Sequence, residues 1–288
     1  MLEHSKKGKF HPSLTMKILQ KYPITTFCSP PTAYRMMVKD LPPERLSFKT
    51  TRHFVAAGEP LNREIIEIWK GMTGRYIYDG YGQTETVNVL ANFRCIPVKP
   101  GSMGVPVPGF NVDIIDDNGN SVPPNTEGDI AIKIKPERPV GLFKEYLGNP
   151  RATEKTIRGH WYITGDRAYK DEDGYFWFVG RADDIILTSG YRIGPFEIES
   201  VLIKHPAVKE SAVVASPDEI RGEVVKAFIV LTKDYSPSDA LIEEIQQFVK
   251  DNTAPYKYPR KIEFVDYLPK TISGKIKRKE LRMKEFGR

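Results

Sequence analysis

The spacing of apolar positions changes along this chain and divides it into three stretches. From His11 to Tyr22 the residues Leu14, Ile18 and Leu19 share one helical face. Ile24 to Cys28 is a short apolar strand stopped by Pro30 and Pro31, and Thr32 to Val38 reads as helix. His53 to Ala57 reads as a strand ended by Gly58. Asn62 is a candidate N-cap for a helix carrying Ile65, Ile66 and Trp69, which Gly71 or Gly74 would end. Tyr76 to Tyr78 is a further strand. Strands alternating with helices predict a parallel sheet covered by helices. Such a sheet should not open on a lone helix and strand, so the start reads as a cut through a larger domain.

From Pro97 to Gly180 turns crowd the chain: Pro108-Gly109, Asp117-Asn118-Gly119, Pro123-Pro124 and Asp173-Gly174. The alternating runs between them, Asn111 to Ile115 and Asp129 to Lys135, predict short antiparallel strands. After Arg181 the pattern mixes again. Phe196 to Lys204 is a predicted helix burying Ile198, Val201 and Leu202, and Glu210 to Ala215 and Val224 to Thr232 are strands. Ser238 caps a helix whose stripe is Leu241, Ile245, Phe248 and Val249, and Lys261 to Val265 is a last strand. The expected class is α/β: a partial doubly wound sheet plus a small antiparallel β subdomain, followed by a small α+β C-terminal domain. The expected boundary lies near Arg181 to Asp184, giving domains 1–182 and 183–288.

Composition narrows this little. The chain has 288 residues, 40% apolar and 28% charged, enough for a substantial core. Its net charge of +6 suits polyanionic ligands such as nucleotides and equally a solvated surface. The two cysteines, Cys28 and Cys95, have neither metal spacing nor the number for a disulfide framework, so a reducing compartment is expected. No run of eighteen apolar residues predicts a transmembrane helix. Met1 to Phe10 carries Lys6, Lys7 and Lys9 without an apolar segment after them, so no secretory signal and no secretion are expected.

Four clusters carry candidate chemistry. Asp79-Gly80-Tyr81-Gly82-Gln83-Thr84-Glu85 follows a strand, where open α/β sheets bind ligands. Its glycines would allow close backbone approach, Tyr81 an aromatic face for a base, Thr84 a hydroxyl for a phosphate, and Glu85 a hard oxygen for Mg²⁺. A plain strand-to-helix turn explains the same residues. In Tyr162-Ile163-Thr164-Gly165-Asp166 the carboxylate could accept two hydrogen bonds from vicinal hydroxyls, or simply shape a turn. Gly180-Arg181-Ala182-Asp183-Asp184, followed by Ser189-Gly190-Tyr191-Arg192, lies at the expected boundary, where clefts and hinges form. Pro269-Lys270-Thr271-Ile272-Ser273-Gly274-Lys275 predicts a mobile loop presenting a lysine that could neutralise charge on a phosphorus under attack; Lys277, Arg278 and Lys279 equally suggest a basic tail.

The four clusters, in this order and at these intervals, resemble the adenylate-forming superfamily over essentially the whole chain. Gly222-Glu223-Val224-Val225-Lys226-Ala227-Phe228 and Thr253 to Lys261 are most similar to the medium-chain acyl-CoA synthetases. The resemblance implies a reaction in which a carboxylate joins ATP as acyl-adenylate, releasing pyrophosphate, and the acyl group then passes to coenzyme A. It implies that Asp79, Gly80, Tyr81, Gly82, Gln83 and Thr84 hold adenine and α-phosphate, with the weak match Gly58-Glu59-Pro60 on the adenine side. Glu85 would hold Mg²⁺, Asp166 and Arg181 the ribose, and Lys275 the transition state of the first step. Asp183 matches the hinge about which a mobile C-terminal domain turns, removing Lys275 and bringing in Ser189, Gly190 and Tyr191. Arg192, Arg221, Lys250, Tyr258, Pro259 and Arg260 would contact CoA and its phosphates. Residues 1–182 would then be the C-terminal part of the large AMP-binding domain.

One departure matters. The Ser/Thr/Gly-rich phosphate loop ending in Lys, expected far upstream of Tyr81, is not in these residues, and neither is a Gly-x-x-x-x-Gly-Lys-Ser/Thr loop. The chain is therefore expected to be a fragment, a truncated product or an alternative isoform. The competing expectations are a non-catalytic nucleotide- or CoA-binding remnant and an aryl-CoA ligase. A nucleic-acid partner has only the charge in its favour and no signature. The implied compartment is the mitochondrial matrix or a bacterial cytoplasm.

Overall fold

The computed structural model describes residues 10–40, 46–271 and 275–287. Its contacts divide the chain into two compact units: Met1–Thr164 with Tyr169–Trp177, and Gly165–Ala168 with Phe178–Arg288.

The first unit opens with α1 (Pro12–Lys21), β1 (Thr26–Ser29), α2 (Pro31–Asp40), β2 (His53–Ala57), α3 (Arg63–Thr73), β3 (Ile77–Gln83), β4 (Val87–Ala91) and β5 (Val105–Pro106). These strands form one sheet in the order β1-β2-β3-β4-β5. β1, β2 and β3 run parallel, joined by the helices α2 and α3, whereas β4 and β5 run antiparallel. The first helix starts on Pro12, whose fixed φ and missing N–H are tolerated at a helix N-terminus. Asn62 precedes α3 but makes no side-chain cap bond, and Gly71 sits inside the helix; Gly74 ends it in the left-handed region at φ 70°. The core is aromatic. Trp69 meets Tyr34 and Phe54 edge-on, with ring centroids 5.2 and 5.1 Å apart, the geometry favoured by ring quadrupoles.

A second sheet follows the turn-rich stretch: β6 (Val112–Ile115), β7 (Gly128–Lys133), α4 (Pro150–Glu154), β8 (Ile157–Arg158), β9 (Trp161–Lys170) and β10 (Phe176–Arg181). Its order is β10-β9-β7-β6, with β8 paired to β9. The Asp117-Asn118-Gly119 signal is a tight turn in which Asp116 Oδ1 accepts the Asn118 and Asn120 N–H groups at 2.9 and 2.8 Å. β9 and β10 each carry residues of both units.

The second unit continues with β11 (Ile186–Thr188), β12 (Tyr191–Ile193), α5 (Pro195–Leu202), β13 (Val208–Asp218), β14 (Gly222–Leu231), α6 (Asp239–Asn252), β15 (Lys261–Phe264) and α7 (Arg278–Glu285). The sheet order is β12-β11-β14-β13, with β15 parallel to β14. Alternate residues of β13 and β14 face opposite sides. Val213, Ala215, Ala227 and Ile229 pack with Ile198, Leu202, Ile245 and Val249 of α5 and α6. Ala212, Val214, Phe228 and Val230 pack with Leu268 and with Leu281 of α7. Both faces being covered explains why these strands read as nearly continuous apolar runs.

Candidate functional site

The stretch Asp79–Glu85 departs from its expected form. β3 does not stop at Tyr78. It runs on to Gln83, pairing parallel with β2 up to Gly80 opposite Ala57, then antiparallel with β4 up to Gln83 opposite Val87. The chain then returns as a strand, so this is a strand-to-strand turn and not a strand-to-helix one. The cause is visible at Gly82, where a Cβ would lie 1.8 Å from the Val87 carbonyl oxygen. Gly82 is thus demanded by the neighbouring backbone, independently of any ligand that approaches it. At Gly80 a Cβ would lie 3.1 Å from Asn88 Nδ2.

The turn is held from several directions. Thr86 Oγ1 accepts the Gln83 N–H at 2.9 Å and donates to the Val87 carbonyl at 2.8 Å. Val87, β-branched, sits at φ 54°, a strained conformation. Gln83 Nε2 donates to the Thr164 carbonyl at 2.9 Å and so ties the turn to β9. Tyr81 lies opposite Leu90, and Thr84 is exposed. The Phe143 N–H donates to the Glu85 carbonyl at 2.7 Å, and the Tyr146 hydroxyl donates to Glu85 Oε1 at 2.9 Å.

Asp79 lies at the base of this turn. It is 5% exposed, and its Oδ1 has no hydrogen-bond partner among the described residues. Desolvation pushes its carboxyl up to about 8, an effect that the Gly80 N–H only partly offsets. Its carbonyl accepts the Asn92 N–H at 2.9 Å. In Gly58-Glu59-Pro60, at the end of β2, Glu59 Oε2 accepts from Thr32 Oγ1 at 2.7 Å and from Arg35 at 2.8 Å. Its Oε1, like Asp79 Oδ1, is buried without a described partner.

In the second unit Asp166 is buried behind Gly165, which takes φ 76°. Arg181 Nη1 lies 3.8 Å from Asp166 Oδ1, and Arg181 Nε donates to Asp183 Oδ1 at 3.1 Å. The structure therefore brings Asp166, Arg181 and Asp183 together. Arg282 of α7 donates to the Asp183 carbonyl and to Asp184 Oδ1. Burial raises the Asp184 carboxyl above its ordinary range.

Ser189 and Gly190, at φ 50° and 84°, form the two-residue turn between β11 and β12. Thr188 pairs with Gly222, which sets this turn beside the one carrying Arg221. The Arg221 N–H donates to Asp218 Oδ1 at 2.9 Å. Tyr191 stacks on Tyr256 with centroids 4.2 Å apart, and Arg192 is exposed on β12. Lys250 Nζ lies 4.3 Å from the Tyr258 ring centroid. Arg260 lies 4.9 Å from the same centroid and donates to the Tyr258 hydroxyl at 2.8 Å. Two cations thus lie close to one aromatic ring. The Pro259 carbonyl accepts from Gln246 at 3.0 Å.

Lys275 is exposed beside Ile276, which forms an isolated antiparallel bridge with Lys270. The Thr271 N–H donates to the Lys275 carbonyl at 2.8 Å, and the Lys275 N–H donates to Thr271 Oγ1 at 3.1 Å. Lys270 is anchored on Glu210 at 2.7 Å. Ile272, Ser273 and Gly274, which carried the expectation of a mobile loop, lie outside the described residues.

Two family descriptions match the chain: AMP-binding enzyme over residues 3–147, and AMP-binding enzyme C-terminal domain over residues 197–275. The chain belongs to the AMP-binding enzyme family. It is 60% identical to a Rattus norvegicus protein named acyl-coenzyme A synthetase ACSM3, mitochondrial, over 96% of this chain and 48% of the relative. The anthranilate CoA ligase AuaEII, solved with anthranoyl-AMP, superposes with a TM-score of 0.83 at 35% identity, covering 95% of this chain and 52% of that one. ATP-bound MatB from Rhodopseudomonas palustris superposes with a TM-score of 0.86 at 29% identity, covering 96% of this chain and 54% of that one. The chain spans about half the length of the curated relatives it matches.

Within this AMP-binding enzyme several site neighbours carried no sequence signal. Tyr146 and Phe143 reach Glu85 from about sixty positions downstream, and Asn92 reaches back to Asp79 across the β3–β4 pairing. Thr32 and Arg35 hold Glu59 from α2. These are contacts between residues far apart in sequence, invisible to periodicity.

Proposed function

We propose that this chain carries the nucleotide and coenzyme determinants of an AMP-forming acyl-CoA synthetase. In the whole enzyme the reaction is ATP-dependent activation of a medium-chain fatty acid to acyl-adenylate, followed by transfer to CoA. The observation that carries this reading is the Asp79 carboxyl, buried and short of a partner at the base of a turn whose outer residues are Thr84 and Glu85. A buried acceptor without a donor is costly, and an adenine amino group is a donor of the required kind. Tyr81 to Thr84 then line base and α-phosphate, and Asp166 with Arg181 receives the ribose hydroxyls.

Glu85 fits a magnesium ligand. Its Oε1 takes the Tyr146 hydroxyl and its Oε2 bonds to no described residue. Mg²⁺ is commonly bound through one or two carboxylates, with water and phosphate oxygens completing its shell. Among the described residues no cluster of His, Cys, Asp and Glu offers a site made of protein alone. When bound, the ion would neutralise charge on the nucleotide's phosphates. Lys275 serves the adenylation step, Asp183 is the hinge, and residues 183–288 turn between the half-reactions. Ser189 to Arg192, Arg221, Lys250 and Tyr258 to Arg260 then meet CoA, with the cations around Tyr258 suited to its phosphates. The mitochondrial relative favours the mitochondrial matrix over a bacterial cytoplasm.

The test pairs calorimetry of this chain against AMP and CoA with a fatty-acid-dependent pyrophosphate assay. Binding of both ligands is expected, lost for AMP in Asp79→Ala. In the full-length enzyme Lys275→Ala should reduce adenylation far more than thioester formation from preformed acyl-adenylate; equal losses would remove its assigned role. Binding without turnover would select a non-catalytic remnant for this chain.

A further inference from the structure

We propose that Tyr146 is a positioning residue for Glu85, fixing the carboxylate so that one oxygen is committed to the protein and the other is aimed at a divalent cation. This rests on the reading of Glu85 as the magnesium ligand.

The geometry behind it lies wholly within the first unit. Glu85 is gripped twice by one segment: the Phe143 N–H donates to its carbonyl at 2.7 Å and the Tyr146 hydroxyl to Oε1 at 2.9 Å. That segment is itself well fixed. The Leu142 N–H returns to the Pro139 carbonyl at 3.1 Å, and Leu142 is 5% exposed. Phe143 packs edge-on against Tyr146 and Tyr162, with centroids 4.8 and 5.7 Å apart. The Tyr146 N–H donates to Thr153 Oγ1 at 2.9 Å, and Thr153 belongs to α4, which Asn149 caps through the Ala152 N–H at 3.1 Å. The close approach depends on Gly141, where a Cβ would lie 2.8 Å from Val87 Cγ2. The tyrosine is therefore held by backbone, ring and helix before its hydroxyl reaches Glu85.

A half-exposed glutamate otherwise samples several rotamers, and holding it in one removes an entropic cost from cation binding. A hydroxyl donor on one oxygen does for a carboxylate what outer-shell hydrogen bonds do for metal ligands generally. No covalent step is involved.

The experiment measures ATP binding to the full chain by calorimetry with excess Mg²⁺ and with EDTA, taking the ratio of the two affinities as the metal enhancement. Tyr146→Phe keeps the ring contact and removes only the hydroxyl. The enhancement is expected to fall about fivefold, the equivalent of one hydrogen bond. Metal-free AMP affinity and melting temperature should stay unchanged. Glu85→Gln should abolish the enhancement, and Tyr146→Phe should have no further effect in that background. An unchanged enhancement in Tyr146→Phe, with loss in Glu85→Gln, overturns the role of Tyr146 and leaves that of Glu85 standing. No enhancement in the parent chain, or none lost in Glu85→Gln, overturns the magnesium reading and this inference with it. A Tyr146→Phe chain that unfolds, or loses metal-free AMP affinity in step, marks the tyrosine as structural and likewise overturns it.

Discussion

Asp79→Asn should flatten the pH dependence of stability between weakly acid and neutral solution. Asp79 is buried, its Oδ1 has no described partner, and its carboxyl stands at about 8 against an ordinary 3.8. The folded protein then holds a proton that the unfolded chain has already lost throughout the interval between those values. Stability must therefore fall as pH rises through it and level off above about 8. At ~1.4 kcal/mol per pH unit, flattening as the folded carboxyl begins to ionise, the loss from about pH 5.5 to about pH 7.5 is about 2.5 kcal/mol. Asparagine has nearly the same shape and does not titrate. Urea unfolding of parent and variant at both pH values isolates the contribution, because every other titrating group is common to the two chains. A parent–variant difference that is the same at both pH values would mean that Asp79 is ionised in the folded protein. The desolvation argument would then fail.

Three further outcomes follow from the same region and its counterpart in the second unit. Val87→Asn, which relieves a β-branched residue at φ 54°, should stabilise the chain by about 1 kcal/mol, read as a higher urea midpoint; a lower midpoint would contradict the strain. Gly82→Ala should destabilise by about 3 kcal/mol or more, since its Cβ would lie 1.8 Å from a backbone oxygen that cannot rotate away; a melting temperature near the parent's would show that β3 and β4 can separate cheaply. Arg278→Ala should destabilise by about 2–4 kcal/mol, because it strips Glu199 of a two-pronged partner at 2.5 and 3.2 Å and leaves that carboxylate largely buried; a loss under about 0.5 kcal/mol would show the pair to be solvated.

What the sequence revealed, and what it hid, divides along a physical line. The helices α3, α5 and α6 were legible because burial of one face imposes a period that any window reveals, as in Ile65, Ile66 and Trp69 or Ile245 and Val249. β3 was legible only as far as Tyr78. Its remaining residues, Asp79 to Gln83, are short on apolar side chains, and what keeps them extended is hydrogen bonding to a strand that follows. Backbone pairing leaves no mark on composition, so the run read as a turn. The glycines are ambiguous for a related reason. Glycine reports that something comes close, not what, and at Gly82 the close neighbour is Val87 of the same chain. The ordered set of motifs was legible because each is a local string, yet the residues that hold those strings in place are not. Arg35 on Glu59, Tyr146 on Glu85 and Arg282 on Asp184 each act through a hydrogen bond between residues far apart in sequence. A motif can thus name the groups expected to touch a nucleotide. Whether their oxygens point at it is decided by partners that only folding supplies, and it is in those partners that an AMP-binding enzyme with an intact motif can still differ from another.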